Sequence, residues 1–364
     1  MKERRKRNMS RTGLLFLFCL LMLCGCAQIT GFMENTEVSG REVESLAAEK
    51  EDDTVLLGGM PVGIYMETDG VLVLDTEKMT GVDGKEYTPA QDVVSSGDYI
   101  TEVNHQKIEG KKQLMDLVEH LDGEKVLLTV RRENTILEKK LTPVQISKGN
   151  YRLGIWVRDD TQGIGTLTYV DQNGNYGALG HGISDIDTAQ LLNIRNGALY
   201  KARILAINKG SKGNPGELAG YICYDDRNIL GTIEANSRNG IYGQFTGIAD
   251  DAITLKKMPA AYKQEVKIGT ATILCSTDGE VKEYGAEIRK IDLNHEDTNK
   301  SFVIKVTDKE LLEATGGIVQ GLSGSPVIQN GKIIGAVTHV FVQDASSGYG
   351  IFIENMLKNT ERLF

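Results

Sequence analysis

A short glycine-rich segment around Ser323 constrains the fold more than any other feature of this 364-residue chain. It has the pattern Gly-x-Ser-Gly-x-Pro over residues 321–326, and an expected hairpin with an Asn-Gly turn at residues 330–331 follows it. Glycines let the backbone turn sharply, so the Ser323 hydroxyl can project while the amides of Gly321 and Ser323 converge on one point. The segment predicts a β-rich fold that presents a nucleophile beside an oxyanion hole.

A serine hydroxyl is a poor nucleophile without a base, and His181 is the histidine that we favour for this role. His181 stands between glycines at the end of an apolar stretch, which suits a side chain at the rim of a barrel. His339 falls inside an expected strand and is interpreted as structural. His105 and His120 belong to a different module, and His295 lies in a charged loop.

The residue pattern leaves open which carboxylate would orient the imidazole. Asp308 ends a β-rich run just before an expected short helix at residues 309–314, and this position gives it a small lead over Asp250 and Asp292. Ser325, in the same glycine-rich segment, remains an alternative nucleophile to Ser323.

Residues 54–145 are interpreted as a PDZ-like peptide-binding domain. Short apolar runs alternate with glycine-containing turns, and one amphipathic helix is expected over residues 111–121. Residues 97–104 have the pattern Gly-Asp-x-Ile-x-x-Val-Asn, which resembles that of PDZ domains. Val62, Gly63 and Ile64 are predicted to form the loop that binds a peptide carboxylate, and the alternative is an ordinary strand entry without a ligand.

The N-terminal residues 1–26 are predicted to be a signal peptide or membrane anchor. A basic cluster precedes about eleven apolar residues, which is signal length and less than the roughly 20 that span a bilayer. Cys26 ends a Leu-Cys-Gly-Cys sequence that resembles a lipobox, so lipidation of Cys26 and an uncleaved anchor are both open. Residues 27–53 are predicted to form an acidic stalk.

The charge balance argues against nucleic acid as a partner. The chain has 41 Lys and Arg against 50 Asp and Glu, and its first eleven residues contain six basic side chains and one acidic one. The remainder is therefore strongly acidic, whereas nucleic-acid binding relies on Lys and Arg to neutralise phosphates. Outside the N-terminal segment only Cys223 and Cys275 remain, as a disulfide or as two free thiols, and no spacing indicates a metal site. No cofactor is expected.

Several segments together resemble the stage IV sporulation protein B family, which comprises PDZ-containing serine peptidases of endospore-forming Firmicutes. The resemblance covers residues 55–360 and includes the order of the domains. It implies a mainly β chain with an N-terminal signal or anchor, a PDZ-like domain, and a chymotrypsin-like double β-barrel serine protease domain over residues 151–364. The segments that carry it are Leu179–Asp185, Val306–Asp308, Thr315–Pro326, Ala336–Phe341 and Ser347–Gly350.

The family resemblance also implies a triad of His181, Asp308 and Ser323, with the amides of Gly321 and Ser323 as the oxyanion hole. It implies an exported endopeptidase of the forespore intermembrane space that is at first membrane-associated and cleaves its own N-terminal segment. Its other substrate would be stage IV sporulation protein FA, whose cleavage activates pro-sigma-K processing, and the PDZ-like domain would bind a peptide.

Two other classes of protein remain as alternatives. In an HtrA-like envelope stress protease-chaperone the PDZ domain follows the protease domain, whereas here it precedes it. A catalytically silent PDZ scaffold would require the triad pattern to be fortuitous.

Overall fold

The computed structural model describes residues 54–247, 255–294 and 298–364. The predicted signal or anchor at 1–26, with Cys26, and the predicted stalk at 27–53 lie outside the described residues. In the described part of the chain no helix is both long and apolar enough to cross a membrane.

The described residues form mainly strands, with three α-helices and two short 3₁₀ segments at Asp226–Asn228 and Thr298–Lys300. The helices are α1 (Lys111–Glu119), α2 (Lys309–Thr315) and α3 (Ile353–Leu363). The strands are β1 (Thr54–Leu57), β2 (Pro61–Thr76), β3 (Met79–Thr80), β4 (Glu86–Tyr87), β5 (Tyr99–Val103), β6 (Gln106–Lys107), β7 (Val126–Arg132), β8 (Thr135–Leu141), β9 (Val144–Ser147), β10 (Asn150–Arg152), β11 (Ile155–Val170), β12 (Asn175–Ala178), β13 (Ile194–Asn208), β14 (Glu217–Ile222), β15 (Ile229–Thr232), β16 (Ala235–Ser237), β17 (Gly240–Gln244), β18 (Lys257–Pro259), β19 (Gly269–Ser276), β20 (Val281–Ile291), β21 (Phe302–Val306), β22 (Pro326–Gln329), β23 (Lys332–Phe341) and β24 (Asp344–Phe352).

Six strands close a first barrel in the order β2, β11, β12, β17, β15 and β13. Antiparallel pairing links neighbouring strands of this barrel. An antiparallel bridge between Gly231 of β15 and Phe245, the residue after β17, closes it. Alternate residues of each strand point inward, and these inward-facing residues are apolar. Its buried side chains include Val62, Ile64, Tyr176, Leu199 and Ile241.

A second barrel closes in the order β19, β20, β21, β24, β23 and β22. Its core includes Ile273, Ile288, Ile304, Val337 and Phe352. Two six-stranded antiparallel barrels confirm the predicted mainly β, double-barrel fold. The two predicted helices are also confirmed, since α1 and α2 span nearly the expected residues.

The PDZ-like module lies on the same continuous sheet as the first barrel. Strands β5, β7 and β8 extend the sheet beyond β2, and α1 covers a separate core that contains Val71, Ile100, Leu114 and Leu128. Both β2 and β11 have 16 residues, and each runs from the barrel into the module. The module is therefore built into the barrel through two shared strands.

The sequence-based start of the PDZ-like domain at residue 54 does not match this pairing, because β1 and the first half of β2 belong to the first barrel. The carboxylate-loop prediction for Val62, Gly63 and Ile64 is wrong for the same reason. These residues pair with β11 on one side and β13 on the other, so no edge is left for a peptide. A Cβ on Gly63 would lie 2.5 Å from a methyl carbon of Ile222, so this glycine permits close packing.

The core position of Ile64 predicts a large effect on stability. Ile64 is 2% exposed in the first barrel, so Ile64→Ala should lower the free energy of unfolding by about 2–5 kcal/mol. Ile136→Ala, at a position that is 60% exposed, is the matched control and should change it by less than about 0.5 kcal/mol. Chemical denaturation measures both. An Ile64→Ala variant of unchanged stability would contradict this placement.

Candidate active site

The nucleophile loop, residues 320–325, adopts the sharp turn that its glycines predict. Gly321 and Gly324 both have positive φ angles, of 99° and 95°. A Cβ on Gly324 would lie 2.2 Å from the carbonyl oxygen of Thr166, so only glycine fits there. Ser323 is half-buried, and its Oγ donates a hydrogen bond to the carbonyl of Thr338 at 2.7 Å.

The two amides predicted for the oxyanion hole remain available to a ligand. Among the hydrogen bonds within residues 54–247, 255–294 and 298–364, neither the Gly321 N–H nor the Ser323 N–H is a donor. A developing negative charge on a substrate oxygen needs preorganised donors of this kind. The loop can therefore supply two backbone donors next to the nucleophile.

The predicted base, His181, lies in a tight turn that follows β12. Leu179 and Gly180, just before it, both have φ angles of 68°. The Nδ1 atom of His181 lies 2.8 Å from the carbonyl oxygen of Gly182. Because a carbonyl only accepts hydrogen bonds, Nδ1 carries the proton, and Nε2 is left as the basic nitrogen. Burial lowers the pKa of His181, and the bond to Gly182 acts in the opposite direction.

The predicted base and the predicted nucleophile both contact strand β23 of the second barrel. The carbonyl of Thr338 accepts the Ser323 hydroxyl, and the ring centre of the next residue, His339, lies 4.8 Å from that of His181. Ser323 and His181 thus approach neighbouring residues of one strand from two different barrels. His339 lies on a strand, as the sequence indicates, but it also forms part of this site.

The structure does not bring Asp308 to His181. One carboxylate oxygen of Asp308 accepts the N–H groups of Glu310 and Leu311 at the start of α2, and the other accepts that of Gly285. Residue 302, at the other end of β21, lies level with residue 337. At about 3.3 Å per residue, Asp308 therefore lies some 15–20 Å along the barrel wall from the level of residue 337, which is close to the level of His339.

The other carboxylates weighed from the sequence do not replace it. Asp292 accepts a hydrogen bond from the amide of Asn294, and Asp250 lies outside the described residues. Asp185, close to His181 in sequence, forms an ion pair with Arg158. The group on Nδ1 of the imidazole is the Gly182 carbonyl, which no sequence pattern indicated.

The alternative nucleophile, Ser325, is completely buried. Its hydroxyl donates to the carbonyl of Leu322 at 2.6 Å, so it points into the loop and away from any substrate. The Ser323 hydroxyl instead bonds to the carbonyl of Thr338 on β23, next to His339 in sequence.

A second candidate site is a groove of about 690 Å³ between α1 and the start of β11. Residues 155–157 pair with β2 on one side, and across the groove they face Leu114 and Val118 of α1. Gly154, directly before this strand, has a φ of 70°. A strand with one free edge beside a helix is where an extended peptide adds to a sheet.

The groove could have been found from the sequence. Residues 153–155 read Leu-Gly-Ile, a close copy of the Val-Gly-Ile at 62–64 that attracted the prediction. Nothing local distinguishes the two, because only strand pairing shows which copy is enclosed and which has a free edge.

The remaining features lie away from the catalytic groups. Cys223 and Cys275 are both free thiols, and burial, reinforced by the charge of Asp308, raises the pKa of Cys275 to about 12. A cavity of about 1040 Å³ opens between the two barrels, and neither Ser323 nor His181 lines it.

Two six-stranded antiparallel barrels, with a glycine-flanked serine and a histidine that both contact β23, are the arrangement of the double-barrel serine peptidases. Residues 149–357 match the family model described as SpoIVB peptidase S55, and this match covers more than half of the chain. The chain belongs to the SpoIVB peptidase S55 family, a family of serine endopeptidases.

Other known proteins are similar over shorter stretches or more distantly. A protein named "Putative zinc metalloprotease" from Helicobacter pylori is 29% identical over an alignment of 180 residues that covers 43% of this chain. The chain spans about half the length, 50%, of that curated relative.

Two solved structures also align with the chain. A PDZ domain of the SdrC-like protein from Listeria monocytogenes covers 24% of this chain and 87% of its own, with 25% identity and a TM-score of 0.20. The active form of the Rv3671c protease from M. tuberculosis covers 56% of this chain and 74% of its own, with 16% identity and a TM-score of 0.30.

The contacts of Asp308 predict that it acts as a helix cap. Asp308→Ala should lower the free energy of unfolding by about 1 kcal/mol, whereas Asp308→Ser, which retains a capping oxygen, should lose less. Both variants should keep most of their reactivity toward a fluorophosphonate, which labels activated serines. A loss on the order of 10⁴-fold in both variants, without a change in stability, would show that Asp308 is the triad acid.

The lowered pKa of His181 predicts the acid side of the pH profile. A general base works when it is neutral, so activity should persist below the ordinary histidine pKa of about 6.5 and fall only at lower pH. The pH dependence of kcat/KM, or of the labelling rate, gives the midpoint. His120→Gln, at an exposed position in the PDZ-like module, should leave that midpoint unchanged, and a midpoint above 6.5 would contradict the prediction.

Proposed function

We propose that this protein is an exported serine endopeptidase that acts in sporulation signalling. It cleaves its own N-terminal segment and then the extracytoplasmic part of stage IV sporulation protein FA, which activates pro-sigma-K processing. Membership of the SpoIVB peptidase S55 family supports the proposal. The observation that carries it is that the Ser323 hydroxyl and the His181 imidazole contact adjacent residues of β23, the Thr338 carbonyl and the His339 ring.

The proposed reaction steps follow from which atoms of Ser323 and His181 carry a proton. The Ser323 hydroxyl turns from the Thr338 carbonyl toward Nε2 of His181, which takes its proton as the oxygen bonds to the peptide carbonyl carbon. The amides of Gly321 and Ser323 donate to the resulting oxyanion. His181 then returns the proton to the leaving amine as the C–N bond breaks, and water releases the acyl group by the reverse sequence.

The Gly182 carbonyl performs part of what a carboxylate does in a triad. By holding the Nδ1 proton, it selects the tautomer in which Nε2 is basic. A neutral carbonyl stabilises the imidazolium less than a carboxylate would. We therefore expect this arrangement to be a modest catalyst, as suits an enzyme that makes a few regulatory cuts.

The groove of the PDZ-like module supports a role for peptide binding. It is apolar along α1 and has a strand edge for main-chain hydrogen bonds, so it suits an extended segment of a protein. We propose that this segment comes from the protein's own N-terminal region or from the substrate protein. We propose that the protein acts in the forespore intermembrane space, with the membrane as an initial partner, because the resemblance to the stage IV sporulation protein B family implies this location and residues 1–26 are predicted to be a signal peptide or membrane anchor.

Removal of the nucleophile tests the function. Ser323→Ala in the full-length chain should abolish fluorophosphonate labelling and self-cleavage, with a loss in kcat on the order of 10⁶-fold, while the melting temperature stays the same. Ser96→Ala, an exposed serine of the PDZ-like module, is the matched control and should behave as wild type. A labelled or self-cleaving Ser323→Ala protein would refute the assignment.

A further inference from the structure

The completely buried hydroxyl of Ser325 has no part in the chemistry above, yet it holds the peptide unit that carries one oxyanion donor. The Ser323 N–H belongs to the peptide unit whose carbonyl is that of Leu322. That carbonyl accepts two hydrogen bonds from Ser325, one from its Oγ at 2.6 Å and one from its N–H at 3.0 Å. Because a trans peptide is planar, the N–H points opposite to the C=O. Ser325 therefore sets the direction in which the Ser323 N–H points.

The other oxyanion donor is held in the same manner by a different element. The Gly321 N–H belongs to the peptide unit whose carbonyl is that of Gln320, and this carbonyl accepts the Leu218 N–H of β14 at 2.8 Å. The direction of each donor N–H is thus fixed by a hydrogen bond to the carbonyl at the opposite edge of the same peptide unit. Gly321 and Gly324 have positive φ angles, and glycine has a wide choice of backbone conformations, so these bonds contribute to selecting one orientation of each amide.

The Ser325 hydroxyl bonds within the nucleophile loop. Its side chain is small, and among the described residues its hydrogen-bond partner is the Leu322 carbonyl of the loop itself. A loop with alanine here would keep the Ser325 N–H bond to Leu322 and lose the stronger, shorter one. The expected result is a correctly folded protein in which the Ser323 N–H points into the oxyanion hole for a smaller fraction of the time.

We propose that Ser325 is a positioning residue of the oxyanion hole, which holds the Ser323 amide toward the substrate through the Leu322 carbonyl. This inference rests on the proposed function, because it requires Ser323 to form an oxyanion. Ser325 touches neither the substrate nor His181. Its effect should therefore appear in the stabilisation of the oxyanion and not in the pKa of the base.

The test compares Ser325→Ala with wild type in the full-length chain, with a fluorophosphonate as the probe. This reagent develops negative charge on an oxygen in the oxyanion hole as Ser323 attacks. Loss of a donor itself costs about 10²–10³-fold, and loss of one of two bonds that aim a donor should cost about tenfold in labelling rate. The acid-side midpoint of the pH profile should stay at the wild-type value.

Two further variants make the result specific. Ser325→Cys keeps the shape with a weaker donor and should fall between alanine and wild type. Ser276→Ala removes another buried serine hydroxyl, at the end of β19, and should not affect labelling. Melting temperatures show that each variant is folded.

The outcomes separate this inference from the proposed function. A Ser325→Ala protein that is labelled at the wild-type rate overturns the inference and leaves the serine peptidase intact. A slower rate that comes with a shifted pH midpoint, or that Ser276→Ala reproduces, also overturns it, since general loosening of the second barrel would then be the cause. A wild-type protein that is not labelled at all would instead overturn the proposed function.

Discussion

The active site depends on hydrogen bonds that cross from one barrel to the other. Thr166 and Thr168 lie on β11 of the first barrel, and both are buried. The Thr166 side chain donates to the Gly321 carbonyl and its amide to the Ser323 carbonyl, while the Thr168 side chain donates to the Gly324 carbonyl. The loop that carries the nucleophile belongs to the second barrel by sequence. Its position is set by the first.

The same strand connects the site to the PDZ-like module. The end of β11 near residue 155 borders the groove beside α1, and Asp159, farther along, accepts the Lys111 amide at the start of that helix. Arg158 pairs with Asp185 in the loop that follows His181. One 16-residue strand therefore contacts the groove beside α1, the loop that follows His181 and the loop that carries Ser323. Strands transmit position well because neighbours hold them on their hydrogen-bonded sides.

Local sequence patterns predicted the turns and the helices whose formation depends mainly on neighbouring residues. The glycines around Ser323 and His181 mark turns, and the amphipathic spacing of residues 111–121 marks α1, because these signals depend only on the backbone and on burial of one face. Asp308 was placed correctly before a helix, and its capping role is what that position favours most simply. The family resemblance attached a catalytic role to it, which the geometry of the described residues does not show.

The sequence alone determined the class of fold, through turn chemistry and strand alternation, and it predicted Ser323 as the nucleophile and His181 as the base. It placed the PDZ-like module before the protease domain, whereas the module is built into the first barrel through β2 and β11. Only the tertiary structure decided which of the two similar segments, Leu-Gly-Ile and Val-Gly-Ile, has a free edge, what the imidazole of His181 contacts, and that the Ser325 hydroxyl bonds to the Leu322 carbonyl. The physical reason is common to all three. Each depends on which strand or carbonyl lies opposite. Gly63 is enclosed by Ile164 and Tyr200, which are distant along the chain, whereas His181 and Ser325 bond within their own turns, whose direction packing decides.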